Sequence, residues 1–517
     1  MIKKSDLPIG IQTFKDIINE NYIYVDKTKE ALELINDFKY VFLSRPRRFG
    51  KSLFLDTLKN IFEGKKELFR GLYLEDKIDW EDKYPVIKID FYGDLRSSKS
   101  IKASILKTLE SNQKDLGVEC DKNNEAYNYS TCFRDLIRKS YEKYNKKVVI
   151  LIDEYDKAIL DNLDQNKVAK EAREILIGFY SIIKGSDEYI KFSMLTGVSK
   201  FSKSSIFSGL NMIEDISLNP KYGNICGITQ PQLEESFKHY LVGQDLEKIK
   251  EWYNGYNFLK DGVYNPFDLL RFFANNYRFS NYWFQSGTPS FLIKLLEKEK
   301  YFLPNISNLE IGEELLSSFD IENIKLEVLL FQTGYLTIKE QFINEEEDII
   351  YKLKLPNKEV KTSLNKIIIN YFTDEINLSG RSSINKGLKT GNIELFVSEL
   401  KKLFSSLPYN NYTRNLIENY EGYYANVIFA YLQSLGYEII GEDVTNKGRI
   451  DLTIKVEDFI YIIEFKMKSN PGLKALEQIE QRKYYEKYLR ENKKIFLVGI
   501  EFDEQERNIC DYEFRVV

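Results

Sequence analysis

Histidine is almost missing: the 517 residues contain one, His239. A histidine-based metal centre needs several imidazoles and a Ser-His-Asp triad needs one with its partners converging on it, so a single histidine argues against both, and the lone residue reads as a structural member of a helix. Cysteine is scarce too. Cys120, Cys132, Cys226 and Cys510 include no Cys-x-x-Cys pair, which argues against a zinc site and a disulfide framework and for a reducing compartment. No stretch approaches the roughly 18 consecutive apolar residues of a membrane span, and Met1-Ile2-Lys3-Lys4-Ser5-Asp6 has no apolar segment of a secretory leader. The expectation is a cytoplasmic protein with no membrane partner. A basic excess is also lacking. Lys and Arg number 74 against 79 Asp and Glu, a net charge of −5, which opposes nucleic-acid binding over the whole surface but leaves room for a local basic groove. What remains is 43% hydrophobic and 30% charged, a globular composition. The length exceeds one ordinary core, so two or three domains are expected.

Along the chain, Tyr40–Leu43 reads as a short apolar strand followed by a basic, glycine-containing loop. Phe54, Leu55, Leu58, Ile61 and Phe62 then recur at helical spacing. Val86–Phe91 is a second strand, and 99–142 is helical with an interruption near 117–125. Val148–Ile152 is an unbroken, mostly β-branched run of the kind buried on both faces of a parallel sheet. A helix over 167–184 precedes the strand Ile190–Leu195. Strands alternating with helices predict a parallel α/β sheet over residues 1–218. From 219 to 360 helices dominate until 333–338 and 351–355, which read as a hairpin with the acidic tip Glu345-Glu346-Glu347-Asp348. That pattern fits a winged-helix-like lid or a plain helical spacer. A helical connector is expected over 361–410, ended by the turn-forming Leu407-Pro408-Tyr409-Asn410-Asn411. Residues 411–517 then predict a helix (418–435), strands at 437–442, 449–456 and 459–466, a helix (473–491) and a strand (494–500).

Two constellations carry chemistry. Arg45-Pro46-Arg47-Arg48-Phe49-Gly50-Lys51-Ser52 ends in Gly-Lys-Ser at the start of a helix, as a phosphate-binding loop does. Gly50 lets the backbone approach phosphates, Lys51 reaches the β- and γ-phosphates, and Ser52 ligates magnesium, with Arg48, Phe49 and Leu53 completing the cradle. The usual first glycine of such a loop is replaced by Arg45. About a hundred residues later, the strand Val148–Ile152 runs into Asp153 and Glu154. Asp153 is placed to hold magnesium through water, and Glu154 to polarise the attacking water. Thr196, at the end of the next strand, is a candidate sensor of the γ-phosphate. Arg45, Arg47 and Arg48 are candidates for phosphate contacts.

The second constellation is Gly448-Arg449-Ile450-Asp451 followed by Glu464-Phe465-Lys466 on the next strand. With a side-chain period of two, Glu464 and Lys466 share a face. Charged groups among such apolar neighbours are costly unless they pair or serve a site. Asp451 and Glu464 offer hard oxygens for Mg2+ or Mn2+, and Lys466 orients water and offsets charge developing on phosphate. Glu421 or Glu418 on the preceding helix is the candidate for a further ligand. Gln478, Gln481 and Tyr485 on the following helix are placed to face the pocket.

These residues, with Leu7-Pro8-Ile9-Gly10-Ile11, Tyr24-Val25-Asp26-Lys27-Thr28, Thr196-Gly197-Val198-Ser199-Lys200-Phe201, Asn265-Pro266-Phe267, Tyr282-Trp283-Phe284, Ser286-Gly287-Thr288-Pro289 and Gln332-Thr333-Gly334-Tyr335-Leu336, resemble the bacterial AAA-ATPase-like family fused to a C-terminal PD-(D/E)XK nuclease domain. The resemblance implies a P-loop parallel sheet, a lid and a restriction-endonuclease-like α/β domain. It also implies an arginine in the place of the first loop glycine, and Tyr24 and Asp26 near the nucleotide base. The function expected is an ATP-binding and ATP-hydrolysing protein whose nuclease domain cuts DNA, or less readily RNA, in defence or mobile-element biology, with homo-oligomers allowed. The alternative is a nucleotide-switched binding or signalling module that holds nucleic acid or protein without cutting. A plain ATPase motor would require an arginine finger supplied by another chain.

Overall fold

The computed structural model describes residues 6–122, 127–201, 210–285, 309–316, 325–372, 379–406, 421–469, 472 and 474–517. These fall into two compact units: one formed by the described residues up to 285 with 310–358, the other by those of 359–517. Of the span expected as a lid (219–360), the described residues up to 285 and those of 310–358 belong to the first unit, and the described residues of the expected connector (361–410) belong to the second. The expected turn at 407–411, Glu418 and Ser286–Pro289 lie outside the described residues.

The first unit is built on five parallel strands: β1 (Tyr40–Ser44), β2 (Val86–Asp90), β3 (Val148–Asp153), β4 (Ile190–Gly197) and β5 (Glu214–Asp215), in the order β2-β3-β4-β1-β5. Every residue of β3 is buried, which is why that run shows no polar alternation. Each of its aliphatic side chains contributes roughly 1.5–3 kcal/mol by leaving water. β4 lies between β1 and β3, so the phosphate-loop strand and the acidic strand flank the strand that ends in Thr196. The expected interrupted helix is two, Ser98–Leu116 and Tyr129–Tyr144, each started by a capping box. Further along, β6 (Tyr256–Asn257) and β7 (Gly262–Val263) form a short ribbon. The anticipated hairpin is β9 (Thr337–Ile343) with β10 (Ile349–Lys354), joined by β8 (Glu310–Gly312) into a three-stranded sheet. Helix Leu326–Thr333 leads into it.

The second unit holds helices Ser379–Thr390, Ile393–Ser405 and Glu421–Ser434 and a mixed five-stranded sheet: β11 (Glu438–Thr445), β12 (Gly448–Lys455), β13 (Phe459–Met467), β14 (Lys494–Asp503) and β15 (Asn508–Val516), in chain order. β13 and β14 are parallel and all other neighbours antiparallel. A parallel pair needs a crossover, and the segment 475–491 supplies it.

Four expectations are corrected. Cys120 and Cys132 form a disulfide joining the end of one helix region to the start of the next, although Cys226 and Cys510 are free. His239 is exposed and sits in a turn after helix Gln230–Ser236. The crossover is helix Ala475–Arg482 followed by a 3-10 helix, Tyr484–Glu491, broken at Lys483 (φ +49°). Strand β15, exposed over most of its length, was not foreseen, because its polar and charged residues hide the β signal. Among the described residues no helix is long and apolar enough to cross a membrane.

Candidate functional site

The carboxyl ends of β1 and β3 open on a cleft of about 440 Å³, a volume suited to a small ligand. Gly50, at φ +92°, turns the chain from the loop into helix Lys51–Phe62, aiming that helix's N-terminal N–H groups at the cleft. Arg48, Phe49, Gly50, Lys51, Ser52 and Leu53 all line it, as do Arg47 and Tyr24. Arg48 adopts φ +72° and lays its guanidinium over the Phe267 ring at 4.5 Å. Phe49 is buried edge-on against Tyr256. Lys51 is buried and donates to the carbonyls of Arg45 (2.9 Å) and Pro46 (3.1 Å). Burial lowers the pKa of its ammonium, with Asp153 as the largest opposing influence.

Arg45 does not face the cleft. It is 1% exposed, donates to the carbonyls of Ser44 (2.8 Å), Ser217 (2.7 Å) and Tyr222 (3.3 Å), and stacks on Phe258 at 3.9 Å. Desolvation pulls its pKa down to about 10. The position of the usual glycine is thus a strut that fastens the loop to residues 217–222, and its phosphate-contact role is withdrawn.

Asp153 is buried beneath the cleft, its Oδ1 accepting from Thr196 Oγ1 (2.6 Å) and from the Glu154 N–H (3.0 Å). Thr196 is fully buried and does not line the cleft; its hydroxyl is directed at Asp153. Glu154 lines the cleft at φ +50°, its carboxylate 3.4 Å from Lys157. Asp26 also falls outside the lining. One oxygen accepts the Thr28 N–H (2.8 Å) and the other the Tyr73 N–H (2.8 Å), which starts helix Thr28–Asp37 and ties it to a loop. Tyr24 meets Thr57 Oγ1 at 3.3 Å, and burial raises its phenol pKa. Two residues escaped the sequence reading. Lys27 is buried in the cleft wall, bonded to the Asn224 carbonyl (2.7 Å) and Gln232 (2.9 Å). Asp156 is buried with Oδ2 accepting the N–H groups of Val198 (3.0 Å) and Ser199 (2.6 Å). The second aspartate of Asp153-Glu154-Tyr155-Asp156 was the available signal.

In the second unit β12 and β13 pair only from Leu452–Lys455 against Ile460–Ile463. Where the ladder stops, side chains take over. Asp451 Oδ2 accepts the Phe465 N–H at 2.8 Å, and Glu464 Oε2 accepts the Asp451 N–H at 3.1 Å. Each carboxylate thus caps the strand that carries the other, which fixes both at one point. Glu464 is 1% exposed and its other oxygen accepts from Gln478. Burial raises the Asp451 carboxyl, opposed by the Phe465 N–H, Lys466 and Arg449. Lys466 is half-buried on the same strand. Glu442, a carboxylate raised by burial on β11, pairs with Arg449 and was not foreseen. Gln481 is exposed. The break at Lys483 turns Tyr484 into the core beside Glu464, with Tyr485 packed partly buried against the same core. Glu421 begins its helix, and its side chain lies outside the described residues.

A family model described as "Predicted AAA-ATPase" matches residues 8–207, and one described as "PD-(D/E)XK nuclease superfamily" matches 419–512. A protein of Azotobacter chroococcum mcd 1, described as an uncharacterized protein in the vnfD 5' region, is 41% identical over 518 residues, covering 99% of each chain. The chain belongs to the AAA-ATPase-like family with a C-terminal PD-(D/E)XK nuclease superfamily domain. For this family the cross-capped Asp451 and Glu464 lie in the nuclease-like domain, and the Gly-Lys-Ser loop lies in the ATPase-like domain.

Proposed function

We propose that the chain binds and hydrolyses ATP in the N-terminal cleft and cleaves phosphodiester bonds, in DNA before RNA, at Asp451, Glu464 and Lys466. The observation that carries the nuclease reading is the mutual capping of Asp451 and Glu464 across the end of β12 and β13. A buried Glu464 and a half-buried Asp451 meeting at one point, the latter raised by desolvation, suit a hard divalent cation that offsets their charge. Asp451 and Glu464 would hold Mg2+ or Mn2+, with Glu421 as a further ligand. Such an ion supplies positive charge at the scissile phosphate. Lys466 orients the attacking water and stabilises the developing negative charge. In the cleft, Lys51 binds the β- and γ-phosphates, and Ser52 and Asp153 hold Mg2+. Thr196 fixes the Asp153 carboxylate, Glu154 polarises water, and Tyr24 lies toward the base. We place the protein in the cytoplasm, in defence or mobile-element biology, with homo-oligomers allowed.

A metal-dependent cleavage assay on single- and double-stranded DNA and RNA, with and without ATP, tests this. Cleavage that persists in folded Lys466→Ala protein rejects the site. The second reading, a nucleotide-switched module that binds without cutting, is favoured by the carboxylate oxygens already engaged by Phe465, Asp451 and Gln478. Calorimetry showing no divalent-ion binding at Asp451 and Glu464 would favour it.

A further inference from the structure

The motif Gln332-Thr333-Gly334-Tyr335-Leu336 has no role in binding nucleotide or metal in the reading above, yet it closes the end of helix Leu326–Thr333 against two parts of the nucleotide site. The first is the loop after β4. The buried Gln332 amide treats Lys200 as a strand neighbour: Oε1 accepts the Lys200 N–H at 3.1 Å, and Nε2 donates to the Lys200 carbonyl at 3.5 Å and the Leu316 carbonyl at 3.3 Å. That loop is held from the other side by the acidic strand's own extension. Asp156 accepts the Val198 and Ser199 N–H groups, and Tyr155 Oη donates to the Ser199 carbonyl at 3.0 Å. Asp153, three residues earlier, is bonded to Thr196, four residues before Lys200.

The second part is the phosphate loop. Gly334 ends the helix at φ +94°, and a Cβ there would lie 2.7 Å from Cβ of Pro46. Only glycine meets both conditions, the left-handed backbone and the close approach. Tyr335 then packs edge-on against Trp283 at 5.3 Å, and Trp283 Nε1 donates to the Arg47 carbonyl at 3.2 Å. Strand β9 begins two residues later, with Thr337 Oγ1 accepting the Asn257 N–H at 2.7 Å. Lys51 holds the Pro46 carbonyl. A phosphate taking the Lys51 ammonium would compete with that carbonyl, and Pro46 is the residue whose ring lies against Gly334.

We infer that Gln332 and Trp283 are positioning residues that transmit nucleotide occupancy from the phosphate loop and the β4 loop to the three-stranded sheet β8-β10-β9. This rests on the ATP reading of the cleft. It is a coupling between two sites through named contacts, so deleting a contact reduces the coupling without removing the ligand.

The experiment is hydrogen exchange on the full chain, with and without a non-hydrolysable ATP analogue and Mg2+, in wild type, Gln332→Ala and Trp283→Phe. The phenylalanine keeps an aromatic ring against Tyr335 while removing the N–H donor and part of the indole. In wild type the analogue slows exchange in both 45–53 and 337–354. In each variant the response of 45–53 stays, with affinity within about threefold, and the response of 337–354 falls by at least about fivefold. Protection of 45–53 with 337–354 unmoved in wild type, or an undiminished 337–354 response in both variants, overturns the inference alone. No protection of 45–53 in wild type overturns the nucleotide reading and this inference with it.

Discussion

The two sites solve opposite versions of one electrostatic problem. In the N-terminal cleft the buried charges are cations, and backbone carbonyls satisfy them: Lys51 on Arg45 and Pro46, Lys27 on Asn224, Arg45 on Ser44, Ser217 and Tyr222. At the end of β12 and β13 the buried Glu464 and half-buried Asp451 are anions, and backbone N–H groups and the Gln478 amide satisfy them. Dipoles lower the cost of such charges without neutralising them, and the opposing charges, Asp153 for Lys51 and Lys466 and Arg449 for Asp451, offset burial only in part. The cleft is therefore disposed toward an anion such as a phosphate chain, and the carboxylate pair toward a cation. The difference also separates groups that meet ligand from groups that hold backbone. Lys51 and Arg45 have the same kind of partners, yet only Lys51 lines the cleft.

The strongest way to break the comparison is to remove one charge from each site. Lys466→Ala is expected to lower metal-dependent cleavage by about a thousandfold or more, the scale of losing one electrostatic stabiliser of a transition state, measured on protein whose circular dichroism matches wild type. Lys51→Ala should weaken ATP binding by about a hundredfold, read by calorimetry, because a charge-assisted contact to phosphate is lost. If Lys466→Ala leaves cleavage intact while Lys51→Ala abolishes it, the catalytic centre is not at the carboxylates and the symmetry drawn between the sites fails.

Arg45→Gly sharpens the same contrast. It restores the glycine usual in phosphate loops, so a reading from motif alone expects equal or better nucleotide binding. The structure predicts about 3 kcal/mol of lost stability, from stranded carbonyls of Ser217 and Tyr222 and a cavity over Phe258. Chemical denaturation measures it. An unchanged midpoint would show that Arg45 is not a strut.

Much of this is legible in the sequence. The buried strand Val148–Ile152 and the Gly-Lys-Ser turn are local signals, an apolar run and a conformational requirement at Gly50, and the sequence shows both. The E-x-K strand was readable for the same reason: charge on an otherwise apolar face is conspicuous. What was hidden depends on contacts between distant segments. The role of Arg45 is set by Ser217 and Tyr222, more than 170 positions away. Asp26 looked like a ligand contact by resemblance, while its oxygens are committed to Thr28 and Tyr73. The helix over 473–491 was read as continuous because nothing in Arg482-Lys483-Tyr484 signals a left-handed residue. That break decides that Tyr484 is buried in the core while Tyr485 packs only partly buried against it.

The smallest expected effect concerns the cost of holding Asp451 in place. Burial raises its carboxyl above the ordinary range, so between the unfolded and folded pKa values the folded chain carries a proton that the unfolded chain has released. Stability then falls as pH rises through that window. The penalty is absent below the unfolded value and complete above the folded one. Asn at this position keeps an oxygen to accept the Phe465 N–H and has no charge to bury. In metal-free protein, Asp451→Asn is therefore expected to raise Tm by about 2–4 °C near pH 7, the shift that about 1 kcal/mol gives a domain of this size, with the gain vanishing toward pH 4 or so. Thermal scans across that range with a chelator present check it. Mn2+ should reverse the order, since a cation bound by wild type stabilises only the chain that keeps both carboxylates. A variant that is less stable than wild type at every pH without metal would mean that the Asp451 carboxylate is fully compensated by Lys466 and the Phe465 N–H alone, and the disposition of this site toward a cation would lose its basis.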